Sequence, residues 1–192
     1  TEFDPYPYPL IWSYGDLPMI ETPTVNDDRN LRAFLYMIRA AEHEPRFSDG
    51  ERYGLFYSSI PFTDYSDHPA ITGEVQPVRL PDRFCKPAGL NPPCYSTAAG
   101  AYQIIRPTWQ RVRAAGSWGP RLPDFSPASQ DEAARRLLIE ARALPLIERG
   151  EIAEAIGMVS RIWASLAGST AELGGHTLSH VLNLYSDGLW VA

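Results

Sequence analysis

The chain has 192 residues, 44% of them apolar and 21% charged, with two cysteines and a net charge of −6. That balance suits one globular domain; it excludes disorder throughout and a disulfide scaffold, and the lack of a basic excess or stripe argues against a nucleic-acid binder. No run approaches the roughly 18 apolar residues that a membrane span needs.

Residues 1–25 contain Pro5, Pro7, Pro9, Pro18 and Pro23, which forbid a long helix and predict an extended arm. The arm starts at Thr1 with no basic stretch and no long apolar core, so no targeting signal is visible in it, and a start other than Met leaves open a processed, trimmed or excised chain. One folded domain is predicted over 26–192. Asn26, Asp27 and Asp28 give a helix-start signal, and Leu31, Phe34, Leu35 and Ile38 follow at helical spacing until Pro45 stops the helix.

Residues 46–95 change character and predict short strands and ordered loops. Within them the stretch 76–95 carries five prolines and reads as a surface insertion bracketed by Cys85 and Cys94. A bridge between the two would close a loop of about 10 residues, worth about 2.7 kcal/mol in the chain-entropy model. Two unpaired thiols are the other reading. From 98 onward the pattern is mostly helical. GAYQII and TWQRVRAAG flank Pro107, and Ser126-Pro127 is a capped helix start. Ile152, Ile156, Val159, Trp163 and Leu166 form one apolar stripe, and HTLSHVLNLY is the last predicted helix.

The first helix holds the most informative residue. Continuing its apolar stripe places Glu42 about 20° from Leu31 around the axis, whereas Glu44 falls about 220° away. A carboxyl in line with an apolar stripe is partly desolvated, and at a helix C-terminus it faces the negative end of the dipole. Both effects hold the proton on, as a general acid requires. The alternative is an ion pair with one of sixteen arginines, with Arg39 three residues back.

FTDYSDHP, Phe62 to Pro69, crowds Asp64, Asp67 and His68 together. Three readings compete: a weak metal site, the second carboxylate of a glycosidase, or a turn whose side chains bond the local backbone. In STAAGAYQIIRPTW, Gly100 allows a close backbone approach, and Tyr102 and Gln103 offer an aromatic face and an amide on a first helical turn. His176 and His180 stand four apart with no third ligand pattern, so no metal and no cofactor are expected. Neither a nucleophile-elbow motif nor a glycine-rich phosphate loop is present.

In order, RAFLYMIRAAE, FTDYSDHP, STAAGAYQ, DFSPASQD, ALPLIERGEIAEAI and IWASL resemble the lambda-phage-type lysozymes (endolysins), which are peptidoglycan lytic transglycosylases. The similarity spans about residues 31–166, and STAAGAYQIIRP also resembles a stretch of bacterial soluble lytic transglycosylases. The resemblance implies an α+β lysozyme-like fold, with a helical lobe and a smaller β-containing lobe flanking a glycan cleft. It implies Glu42 as the catalytic residue and Asp64, Tyr65, Tyr102 and Gln103 as substrate contacts. It also implies peptidoglycan glycan strands as partner, a monomer, and action at the bacterial cell wall and periplasm. The acidic charge fits delivery beside the wall as a module of a phage or secretion-associated protein. The expected reaction forms 1,6-anhydro-MurNAc; the alternatives are a hydrolytic muramidase using Asp64 or Asp67 beside Glu42, and a non-catalytic glycan-binding module. The chain departs from the family pattern in the longer 76–95 stretch, in AGSTAELGGH after IWASL, and in the arm.

Overall fold

A computed structural model describes residues 29–166 and 175–191. The predicted arm, the helix-start signal at 26–28 and most of the AGSTAELGGH loop lie outside the described residues. Helix α1, Arg29–Glu42, is the centre of the molecule. Its stripe residues Leu31, Phe34, Leu35 and Ile38 are buried, as the periodicity requires, and Ala33 and Met37 are buried with them. A helix apolar on more than one side must be covered on more than one side. The covering elements come from far along the chain: α5 (Pro127–Glu140), α6 (Leu144–Glu148) and α8 (Leu178–Val191) all pack on α1. Gly188 of α8 makes the closest approach, for a Cβ there would stand 2.8 Å from the Ala33 carbonyl oxygen. Tyr185 of the same helix donates to the Asn30 side-chain oxygen at 3.1 Å.

Ser126 caps α5 as predicted, its hydroxyl accepting from the Ser129 N–H with Pro127 at the first helical position. Helix α7 (Ile152–Val159) is shorter than the apolar stripe that foretold it, yet Trp163 and Leu166 beyond its end are still buried. Trp163 is fixed there by donating its indole N–H to the Tyr102 carbonyl at 3.0 Å.

Among the described residues the β structure consists of two small antiparallel pairs, which with the helices makes the fold α+β. Strands β1 (Leu55–Phe56) and β2 (Ile60–Pro61) form a hairpin, and Ala99 bridges to Phe56 on one side and to Ile104 on the other. The sequence reading of GAYQII as helical is therefore corrected. Gly100 at φ +76° and Gln103 at φ +46° turn the chain back on itself, and helix α4 begins only at Arg106 (Arg106–Val112). Two further short α-helices are α2 (Pro69–Thr72) and α3 (Asp82–Cys85).

Strands β3 (Val78–Arg79) and β4 (Tyr95–Ser96) close the base of the proline-rich excursion. Above them Leu80 donates its backbone N–H to the Cys94 carbonyl at 2.9 Å, and Cys85 and Cys94 are joined by a disulfide. Of the two readings left open for these cysteines, the bridge is the one found. The excursion is thus a strap tied at its base and again across its middle.

Candidate active site

Helix α1 ends on Glu42, and the side chain follows the buried stripe as far as the protein surface. The carboxyl is half-buried, and burial raises its pKa from an ordinary 4.5 to about 7. Ser165 works against that rise: its hydroxyl donates to Glu42 Oε1, and its backbone N–H also favours the charged form. The arginine alternative fails for a specific reason. Arg39 is engaged elsewhere, gripping both oxygens of Asp49 at 2.8 Å and donating to the Tyr102 hydroxyl at 2.9 Å. Among the described residues, no cation pairs with Glu42. The site thus keeps a carboxyl poised between its two protonation states near neutral pH, as a group that gives and then takes a proton requires.

Glu42 opens into a cleft of about 450 Å³. Across from it stand the hairpin turn Tyr57–Ser59, the Gln103 loop and the segment 162–164. Three non-glycine residues lining this cleft have left-handed backbones: Ser58 at φ +63°, Ser59 at φ +59° and Gln103 at φ +46°. Such conformations cost on the order of 1–3 kcal/mol each and persist only where the surroundings hold them. Here the holding bonds are visible. Tyr57 N–H donates to the Ala98 carbonyl and Gly100 N–H to the Leu55 carbonyl, both at 2.8 Å. The Gln103 amide donates to Leu55 and Gly100 carbonyls at 3.1 and 3.0 Å, and His43 Nε2 donates to Gly100 at 3.1 Å. Behind the loop, buried Gln130 accepts from Ala101 N–H and donates to the carbonyls of Tyr53 and Phe125. Gly100 has no room for a side chain, since a Cβ would fall 2.1 Å from Gln130 Oε1.

Of the four residues expected to touch substrate, Gln103 shares the cleft wall with Glu42. Tyr102 is fully buried; its hydroxyl donates to Asp131 at 2.5 Å while accepting from Arg39, and Tyr53 donates to the same Asp131 oxygen at 2.7 Å. Tyr65 is half-buried against Phe62, with ring centroids 5.4 Å apart, and its hydroxyl fills the space over Gly54. Asp64 is exposed and accepts from the Ser66 N–H, a local turn that holds its pKa below the usual value. Neither Asp64 nor Tyr65 lines the Glu42 cleft.

The rest of FTDYSDHP is also occupied. Asp67 accepts from the Trp109 indole at 2.8 Å, from the His68 N–H at 2.7 Å and from the Arg113 guanidinium. His68 caps α2: Nδ1 accepts from Ala70 N–H while Nε2 donates to the Ile104 carbonyl. Those two bonds fix the neutral tautomer, and burial pushes its pKa down to about 4. Among the described residues no cluster of three or more metal-binding side chains forms. The rings of His176 and His180 meet at a tilt with centroids 4.6 Å apart, and His176 Nε2 donates to the Ala41 carbonyl at 3.2 Å.

Sequence reasoning missed two participants. Glu44 does line the cleft, because the helix ends at Glu42 and helical angles no longer apply beyond it; there Glu44 pairs with Arg46 at 3.1 Å. Ser165 lies 123 residues from Glu42 in a loop, and nothing local signals it.

The Endolysin family model matches residues 32–189. The chain belongs to the Endolysin family. It is 37% identical over 148 residues to the endolysin of Escherichia phage lambda, covering 76% of this chain and 80% of that protein. It is 32% identical over 170 residues to the endolysin of Escherichia phage P2, covering 85% and 94%. Among solved structures it is similar to bacteriophage lambda lysozyme complexed with a chitohexasaccharide, with TM-score 0.65, 33% identity, and coverage of 84% of this chain and 94% of that one. A second lambda lysozyme structure matches with TM-score 0.63 and 32% identity. The fold is therefore lysozyme-like, and the endolysins to which it belongs are cell-wall-lytic, peptidoglycan-degrading proteins.

Proposed function

We propose that the chain is a peptidoglycan lytic transglycosylase in which Glu42 serves first as acid and then as base. Protonated Glu42 gives its proton to the oxygen linking N-acetylmuramic acid to N-acetylglucosamine, and that C–O bond breaks. Oxocarbenium character develops at the muramyl C1, where the substrate's own acetamido group lends support. Ionised Glu42 then takes the proton of the muramyl C6 hydroxyl, and O6 closes on C1. The product is a 1,6-anhydro sugar, no water is consumed, and Glu42 ends protonated as it began.

The observation that carries this reading is the distribution of carboxylates. Glu42 has a raised pKa in an open cleft, whereas Asp64 and Asp67 are both bound to their own surroundings outside it. Inverting hydrolases need a second carboxylate about 6.5–9.5 Å away to activate water, and retaining ones about 5–5.5 Å away as nucleophile. We assign Gln103 to substrate contact at the cleft wall. Tyr102 is a positioning residue, joining Arg39 and Asp131 behind that wall. The protein acts as a monomer on glycan strands in the periplasmic wall. One feature favours a second reading: Glu44 reaches the same cleft, so hydrolysis with Glu44 as base is the competing mechanism.

Purified peptidoglycan digested with wild type and Glu42→Gln, followed by mass spectrometry of the soluble fragments, tests this. Anhydromuramyl products, lighter by one water than hydrolytic ones and lost in the variant, are expected. Reducing-end muramyl products from the wild type overturn the reading and direct attention to Glu44→Gln.

A further inference from the structure

The strap and the start of α4 enclose a second groove, about 780 Å³ in volume, that no step of the proposed reaction uses. It runs on from the Glu42 cleft, for Leu80 and Ser96 line both. Three large apolar side chains converge on it while exposed to solvent: Leu90 at 46%, Tyr95 at 52% and Ile105 at 44%. None of the three serves the core, so their convergence is a surface property. The walls are fixed before any ligand arrives. The β3–β4 pair and the Cys85–Cys94 bridge hold the strap, and Arg106 N–H donates to Thr97 Oγ1 at 3.0 Å across the opposite wall.

Charge separates the strap beside this groove from the rest of the molecule. The whole chain carries −6, yet residues 76–95 hold Arg79, Arg83 and Lys86 against Asp82 alone. Asp82 is taken by Arg79 at 3.2 Å. Arg106, on the wall facing the strap, is exposed and in no ion pair among the described residues, and it is the charged side chain in the groove lining. An apolar floor edged by an unpaired cation matches a ligand with small apolar side chains and a free carboxylate. Continuity with the cleft limits the ligand further, to something attached to the strand being cut.

We infer that this groove is a binding site for the acidic peptide stem borne on the muramyl unit. The inference rests on the proposed function in that the strand in the cleft must be peptidoglycan. The stem leaves the sugar near Leu80 and Ser96, lays its methyl groups on Leu90, Tyr95 and Ile105, and directs a carboxylate to Arg106. Substrates with stems therefore bind better than bare glycan.

The test compares turnover on glycan strands carrying stems with turnover on the same strands after the stems have been removed by an amidase. Wild type is expected to show a KM about five- to tenfold lower on stemmed strands, the gain of one charge-assisted contact and some apolar burial. Arg106→Gln and Tyr95→Ala are each expected to erase most of that ratio while leaving kcat and KM on bare strands as in wild type. A ratio of one in wild type overturns the inference, as does a ratio that survives both substitutions. An equal loss on both substrates also overturns it and assigns the groove to the sugar chain. Because the readout is a ratio between substrates, it stands whether the products are anhydro or hydrolytic, so the two proposals fail separately.

Discussion

Two acidic groups a short distance apart in sequence end in opposite conditions. Asp67 accepts from an indole, a backbone amide and a guanidinium, which together hold its pKa below the ordinary value despite burial. Glu42 faces burial with Ser165 as its partner among the described residues, and its pKa rises to about 7. Satisfying a carboxylate fully turns it into a structural tie, whereas leaving it short of partners keeps its proton available. The contrast separates chemistry from architecture within a single fold, and it extends to Arg39, whose commitment to Asp49 leaves Glu42 without a counter-charge among the described residues.

The contrast breaks if removing Glu42 spares activity. Glu42→Gln is expected to lower turnover by two to four orders of magnitude in a dye-release assay on cell walls. Its stability should move the other way. The folded pKa of about 7 lies above the ordinary 4.5, so the stability tied to the protonated carboxyl is complete below about pH 4.5 and lost as pH rises through 7. The variant should therefore match wild type in melting experiments at pH 4 and exceed it at pH 8, by up to about 3 kcal/mol.

Asp67→Ala tests the other side. It strands a buried guanidinium and an indole N–H, at a cost of about 2–4 kcal/mol in denaturant unfolding, while activity per folded molecule stays near wild type. Ser165→Ala sharpens the comparison by leaving Glu42 still shorter of partners. Its pKa then rises further, and the alkaline limb of the pH–rate profile moves up by less than about one unit. The smallest effect belongs to Asp64→Asn. The site is an exposed turn, and both stability, within about 0.5 kcal/mol, and activity should hold.

The parts legible in the sequence were those set by local periodicity and caps. Leu31 through Ile38 announced α1 and pointed to Glu42, and Ser126-Pro127 announced α5. Local rules stopped where the chain left a helix or met a distant partner. Glu44 was assigned an angle on a helix that had already ended. GAYQII was read as part of a mostly helical stretch, but Gly100 and Gln103 adopt left-handed conformations supported by bonds to Leu55 and Gln130, far away in sequence. Two cysteines nine positions apart are compatible with a bridge or with free thiols, and the antiparallel pairing of Val78 with Ser96 closes the base of the loop that holds them.

The placement of Glu42 on α1 also sets a schedule. Among the described elements α1 is the first to be synthesised and α8, which seals it through Gly188 and Tyr185, is the last; Asn30 and Tyr185 are 155 residues apart. At ordinary translation speeds the helix bearing the acid waits roughly ten seconds or longer for its cover. Closing so long a loop is slow relative to forming the helix itself. The helix that carries the acid therefore completes its packing only when α8, the last of the described elements, docks on it.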